Sequence, residues 1–283
     1  MRVGIGADIP HQTPEEWASA LAGLGCGAAV FPAAAGCPRA RREEYLAAAR
    51  AHGLLIGEVG VWKNTLSPDP RERAAAVEFA REQLALAEET GARCCVNILG
   101  NAGEGLWDQY SPANETADTY ALAVDTVRGI LDAVKPTRTF YTLECMPWMH
   151  PDSPEDYLRL LRDVDRPAFA VHLDYTNMVN GIGRYRKLPQ FIADCFRLLG
   201  PHIKSVHAKD IRLENMLPCC IREVPPGEGA VDFGLVLRLA ESLGKDTPVF
   251  VEHLPSFAEC SRAVAFLRGE ARRAGVKALC GRV

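Results

Sequence analysis

No run of apolar residues in this sequence approaches the roughly 20 that a membrane-spanning helix needs. No basic cluster stands out either. Lys and Arg total 32 against 36 Asp and Glu, the two signs are interspersed, and the net charge is −4. A nucleic-acid-binding surface wants a basic patch, so that partner class is set aside. The ten cysteines include no Cys-x-x-Cys pair. That spacing argues against a zinc cluster or a disulfide framework and for reduced, mostly buried thiols. Met1-Arg-Val-Gly-Ile-Gly-Ala-Asp8 lacks the longer apolar region and cleavage site of a secretion signal. These absences predict a cytoplasmic protein without a membrane partner.

What is present suffices for a large core: 48% of the 283 residues are hydrophobic. Eight strand candidates alternate with helical patterns. The strands are Val3–Asp8, Ala28–Pro32, Leu54–Val61, Cys94–Leu99 and the four stretches described below. Helix entries carry their own signals. Thr13 is followed by Pro14 and by Glu16, Asp69 by Pro70, and Ser153 by a Pro-Glu-Asp first turn. Helices are expected from about Arg41 to Ala51, from Asp69 or Pro70 to Thr90, from about Glu115 to Val134, from Leu188 to Leu199, from Phe233 to Leu243, and from Phe257 to Ala274. A long insert is expected over Asp210 to Asp232. Strands alternating with helices argue for a parallel sheet. Eight units in 283 residues average about 35 residues each, which suits a (β/α)₈ barrel of typical length. The expectation is a single TIM-barrel domain over residues 1–283, with a doubly wound open sheet as the alternative.

Four later strand candidates end alike. Phe140-Tyr-Thr-Leu-Glu144 closes on a carboxylate, and Pro147 forbids a longer ladder. Phe169-Ala-Val-His-Leu-Asp174 ends in a second acid. Ile203-Lys-Ser-Val-His207 ends in an imidazole, and Val249-Phe-Val-Glu252 in a third acid. They lie 30, 33 and 45 residues apart. In a barrel, strands five to eight are neighbours and their C-terminal ends line the face that carries active sites. Three carboxylates gathered without a cation would repel and resist desolvation. A divalent ion removes that conflict. One His and three carboxylates is too oxygen-rich for a structural zinc site. Mn²⁺ is the first expectation, with Mg²⁺, Co²⁺ or Zn²⁺ as alternatives.

Glu144 in Leu-Glu-Cys-Met-Pro, Asp174 in His-Leu-Asp, His207 in Val-His-Ala-Lys-Asp210 and Glu252 in Val-Glu-His resemble the xylose-isomerase-like TIM-barrel superfamily. Within it the chain looks most like the sugar phosphate isomerase/epimerase group, including ketose 3-epimerases. Pro226-Gly-Glu-Gly-Ala-Val-Asp-Phe233 resembles that group's glycine-rich turn. The resemblance spans essentially the whole chain. It implies a divalent metal held by Glu144, Asp174, His207 and Glu252, with Glu144 and Glu252 also serving as the acid/base pair. It further implies a carbohydrate substrate, free or phosphorylated, isomerised or epimerised by proton transfer next to a carbonyl through a metal-stabilised enediolate. Such a transfer requires a base, an acid and a group that holds the developing charge. A lyase on the same scaffold, a keto-inositol dehydratase or a C-glycoside-cleaving subunit, begins with the same proton abstraction and is the alternative. A non-catalytic partner barrel and an endonuclease-type phosphodiesterase rank lower. A homo-oligomer is left open. The chain departs from the epimerase pattern at Asn177, where many relatives carry a histidine, and in the cysteine-bearing stretch Arg212 to Val224.

Further substrate contacts are expected at His172, Lys209, Glu58, Trp148 and Asn177. His172 lies two residues before Asp174 and should share its side of the strand. It either touches substrate or fills a barrel layer. Lys209 has the same relation to His207 and would stabilise an enolate. Glu58 sits between glycines near the end of strand three, as a substrate contact or a buried hydrogen-bonder, and Asn97 has a similar standing on strand four. Trp62, Trp107 and Trp148 fall in loops after strands, as walls for a sugar ring or as loop anchors. Arg184, Arg186 and Lys187 could meet a substrate anion or simply form a solvated helix entry.

Overall fold

In the computed structural model, which describes residues 1–282, strands and helices alternate along most of the chain. The order is β1 (Arg2–Ile5), α1 (Pro14–Gly23), β2 (Ala28–Val30), α2 (Arg39–Ala51), β3 (Leu55–Gly60), α3 (Pro70–Thr90), β4 (Cys94–Asn97), α4 (Ala117–Val134), β5 (Tyr141–Glu144) and α5 (Pro154–Val164). It continues with β6 (Phe169–Leu173), α6 (Ile182–Tyr185), α7 (Leu188–Leu199), β7 (Ile203–His207), β8 (Asp210–Glu214), β9 (Cys220–Val224), α8 (Phe233–Leu243), β10 (Pro248–Val251) and α9 (Phe257–Arg273). Eight strands join in the order β1-β10-β7-β6-β5-β4-β3-β2, and every pairing is parallel. The two outer strands then approach each other. Gly27 N donates to Val3 O at 2.8 Å, next to the start of β2. The result is a nearly closed (β/α)₈ barrel.

The closure depends on small residues around one large one. Phe250 is fully buried on β10. A Cβ on Gly4 would stand 2.6 Å from Ala28 O and collide with the Phe250 ring, and a Cβ on Gly57 would meet the same ring at 2.6 Å. One aromatic side chain therefore fills the barrel floor where two strands carry no side chain. Truncating such a buried Phe costs about 3–5 kcal/mol. Glu252 lies two residues beyond Phe250, so the strand alternation carries it to the same inward side at the mouth.

Helix starts follow the sequence signals. The Thr13 side chain accepts from Glu16 N while Glu16 returns a bond to the Thr13 backbone. Asp69 caps α3, which ends at Gly91 in the left-handed region with φ 70°. Ser153 caps α5 through Asp156 N. The strands are shorter than the sequence suggested: β1 ends at Ile5 rather than Asp8, and β4 at Asn97 rather than Leu99. At the mouth the strands splay apart and side chains take over the pairing. Asn97 shows this, donating to Lys63 O and accepting from Lys63 N. The segment expected as a plain insert after β7 contains an antiparallel hairpin, β8 with β9. Asp210 anchors it. Its carboxylate accepts from Ile211 N, Gly227 N, Gly229 N and Val231 N, at 2.9 to 3.0 Å.

Candidate metal and active site

Glu144 ends β5, Asp174 follows β6, His207 ends β7 and Glu252 follows β10. These four strands are consecutive in the barrel. One ligand atom from each of the four residues lies within 4.8 Å of the other three. His207 Nδ1 lies 3.1 Å from Glu144 Oε1 and 2.9 Å from Glu252 Oε2. Glu144 and Asp174 are buried, and Glu252 is exposed just enough to reach the cavity above.

Lys209 stands among the same groups. Its Nζ is 2.8 Å from Asp174 Oδ2, 2.8 Å from Glu252 Oε2 and 3.5 Å from Glu144 Oε1. Lys209 is thus charge-paired with Asp174 Oδ2 and Glu252 Oε2, two buried oxygens that have no hydrogen bond to any other group. Burial opposes ionisation of both acids, but Lys209 and then His207 hold the Asp174 carboxyl below its ordinary range. His207 and then Lys209 do the same for Glu252 more strongly. Burial would likewise strip the proton from His207, and the facing Glu252 and Glu144 outweigh it and raise the ring's pKa well above its ordinary value.

Two buried carboxylate oxygens held through the Lys209 charge, a third carboxylate and an imidazole nitrogen converge on one small space. This set fits a hard divalent cation that takes oxygen ligands with one nitrogen. The other carboxylate oxygen of Asp174 is already used, accepting from Thr176 N, Thr176 Oγ1 and Asn177 N, which leaves Oδ2 turned inward.

A second layer lies beneath. Glu58 Oε1 accepts from His172 Nε2 at 2.9 Å and from Ser205 Oγ. Glu58 Oε2 lies 3.8 Å from His207 Nε2. Glu58 and His172 are therefore placed under His207, not on the cavity where substrate contacts were expected. The reason is depth. Both side chains are buried, and His172, two residues before Asp174 on the same side of β6, gives its Nε2 to Glu58 instead of to the cavity. Burial opposes ionisation of Glu58, yet His172 and His207 hold its carboxyl far below the ordinary range. His172, Glu58 and His207 form a second group with ligand-type spacing, sharing the one imidazole.

The other expected contacts do reach the cavity. A cavity of about 390 Å³ above the carboxylates is lined by Glu144, Asn177, Lys209 and Glu252 on its floor and by Trp62, Trp107 and Trp148 above. Asn177 Nδ2 donates to Glu144 Oε1 at 3.2 Å and to Cys145 O at 3.1 Å, which fixes the Glu144 carboxylate. Arg184 is turned elsewhere, donating to Asp152 O and Met178 O as a loop anchor. His253 was not singled out from the sequence. It lines the cavity with a φ of 54°, and its Nδ1 pairs with Glu223 of β9 at 3.0 Å. A left-handed non-glycine residue directly after Glu252 has no signature in local sequence.

Comparison with known proteins gives a consistent answer. A family model described as xylose isomerase-like TIM barrel matches residues 19–270. No curated protein matches the chain. Solved structures resemble it in fold. A D-psicose 3-epimerase from Clostridium cellulolyticum H10 is 16% identical with a TM-score of 0.70, over 98% of this chain and 100% of that one. A xylose isomerase-like TIM-barrel protein from Mycobacterium smegmatis, solved in complex with magnesium, is 19% identical with a TM-score of 0.66, over 94% and 90%. A probable 3-DHS dehydratase from Bacillus anthracis, involved in petrobactin synthesis, is 18% identical with a TM-score of 0.63, over 81% and 82%. Among the described residues no helix is long and apolar enough to cross a membrane.

Proposed function

We propose that this chain, which belongs to the xylose isomerase-like TIM-barrel family, is a divalent-metal-dependent isomerase or epimerase acting on a carbohydrate. The observation that carries the reading is the convergence of Glu144, Asp174, His207 and Glu252 on one point at the floor of the cavity. These four residues would hold the ion, Mn²⁺ first among the candidates. When bound, it supplies a Lewis acid that polarises the substrate carbonyl.

The chain's own groups account for the proton. Glu144 at the end of β5 and Glu252 just past β10, with two strands between, approach the cavity floor from different sides of the cluster. Epimerisation needs one of the pair ionised, to take the C–H proton, and the other protonated, to return a proton to the opposite face of the same carbon. Asn177 keeps the Glu144 carboxylate oriented. Lys209 donates toward the oxygen on which negative charge develops. The buried floor keeps water from competing for the proton.

A lyase that starts from the same abstraction is the second reading. Lys209, a further acid/base group beside the carboxylates, and the dehydratase among the fold neighbours favour it. Incubation of the Mn²⁺-loaded protein with ketoses, keto-inositols and sugar phosphates in D₂O tests the shared step. Deuterium should enter the carbon next to the carbonyl. Glu144→Gln and Glu252→Gln, with metal occupancy shown to be full, should each lose at least about a hundredfold in turnover, the low end for a general acid or base. Near-native turnover by a fully loaded Gln variant would reduce that glutamate to a ligand.

A further inference from the structure

The cavity has two chemically different halves. Its floor is ionic, but among the described lining residues the only permanent cation is Lys209, committed at 2.8 Å to both Asp174 and Glu252. His253, the other lining group able to carry positive charge, is paired with Glu223. Asp108, Glu144 and Glu252 contribute negative charge to the same walls. The mouth is aromatic. Trp62 is 38% exposed and Trp148 41%, both on the cavity. Trp62 holds a φ of 51°, a backbone state that bulky residues rarely adopt. Its indole leans over Gly60, where a Cβ would stand 2.2 Å from Trp62 Nε1. Strained backbone of this kind persists where the surrounding structure imposes it, and it clusters at binding sites. Trp148 Nε1 donates to Asp108 O at 2.8 Å, which ties the two mouth loops together while leaving the indole face open.

We propose that the substrate is an uncharged glycoside of two rings whose sugar ring carries a ketone. The sugar occupies the carboxylate floor, and a second ring with an apolar face lies against Trp62 and Trp148. The proposal rests on the metal-dependent reading for what happens at the floor. With the reacting carbonyl end at the floor, a phosphate elsewhere on the molecule would stand at the mouth. There it would meet indole surface and Asp108, and among the described lining residues no cation other than Lys209 on the floor and the Glu223-paired His253. A flat apolar ring in the same place covers aromatic surface that is otherwise left to water, the arrangement that aromatic pairs favour. The cavity of about 390 Å³ falls within the roughly 300–1,000 Å³ of small-molecule sites.

Calorimetric titration of the Mn²⁺-loaded protein with four glucose-based probes tests this. Phenyl β-D-glucopyranoside should bind at least about tenfold tighter than methyl β-D-glucopyranoside, on the scale of one aromatic contact plus its burial. D-glucose 6-phosphate should bind at least about tenfold weaker than D-glucose, since it adds charge without a partner. Trp62→Ala and Trp148→Ala should erase the phenyl preference while leaving Mn²⁺ affinity within about twofold, since neither side chain is among the groups that would hold the ion. Trp148→Phe keeps a ring face and loses the bond to Asp108 O, and it should retain most of the preference. Equal affinity for the phenyl and methyl glucosides, including no measurable binding of either, overturns the proposal. So does a phosphate that binds as well as glucose, or a Trp148→Phe loss as large as that of Trp148→Ala. The two readings fail separately. Deuterium uptake with a phenyl-to-methyl ratio of one strikes the aromatic subsite alone. A high ratio without uptake from any sugar strikes the chemistry of the floor alone.

Discussion

Replacing Lys209 with Met removes an ammonium and keeps a side chain of similar length at a position only 2% exposed. The Nζ lost in Lys209→Met lies 2.8 Å from Asp174 Oδ2, 2.8 Å from Glu252 Oε2 and 3.5 Å from Glu144 Oε1. Without it, His207 is the one counter-charge shared by the three carboxylates, with His253 Nε2 a further 3.5 Å contact to Glu252 alone. Removing one partner of a buried pair costs about 3–5 kcal/mol. A carboxylate that takes up a proton relieves part of that cost, so the loss in chelator near pH 7 should be about 3 kcal/mol. A divalent ion held by the same carboxylates supplies two positive charges where one is missing. Any ligand that binds only the folded state adds about 4 kcal/mol at a thousand times its Kd. The variant should gain more than the wild type, because its ion meets no resident ammonium. Urea unfolding, run once in chelator and once in saturating Mn²⁺, reads both quantities. The deficit of about 3 kcal/mol in chelator should shrink to about 1 kcal/mol with Mn²⁺. By the thermodynamic cycle, that change of about 2 kcal/mol corresponds to roughly thirtyfold tighter Mn²⁺ binding by the variant. An equal deficit in both conditions would refute the reasoning, placing the ion away from these carboxylates or showing that Lys209 does not compete with it.

Three further outcomes follow from the same geometry. Glu58→Gln keeps the shape beneath His207 but removes the charge, and Mn²⁺ affinity measured by calorimetry should fall about 10- to 100-fold, as for other residues that orient a metal ligand; unchanged affinity would leave Glu58 with a packing role only. Burial lowers the His207 pKa, but Glu252 and Glu144 raise it well above its ordinary value, so the ring carries a proton before ligation. Metal binding must release that proton, and below the raised pKa the affinity should drop about tenfold per pH unit; calorimetry in buffers of different ionisation heat should show proton uptake by the buffer at pH 6, and its absence would contradict the assignment. Asp210→Ala orphans four backbone N–H groups that converge on one carboxylate. At about 1–3 kcal/mol per unsatisfied group, the variant should lose at least about 3 kcal/mol in urea unfolding, and hydrogen exchange should rise first in residues 211–231.

Much of the architecture was legible before any tertiary contact. The alternation of apolar strands with capped helices is a local signal, written in Thr13, Asp69 and Ser153 and in short apolar runs, and it sufficed for the barrel. That one polar residue ends or directly follows each of four successive strands is also local, because strand alternation and the loop break decide where a side chain must point. Depth inside the barrel is different. His172 precedes Asp174 by two residues and shares its side of the strand, yet it lies a layer lower, against a glutamate 114 positions away in the chain. The position of Lys209 among three carboxylates from β5, β6 and β10, the hairpin of β8 with β9, and the left-handed Trp62 and His253 at the mouth were likewise settled by the fold. Each depends on the shear between strands or on pairing of segments with no mark in their own residues. Local sequence sets which groups face inward, but which of them meet is a property of the closed barrel.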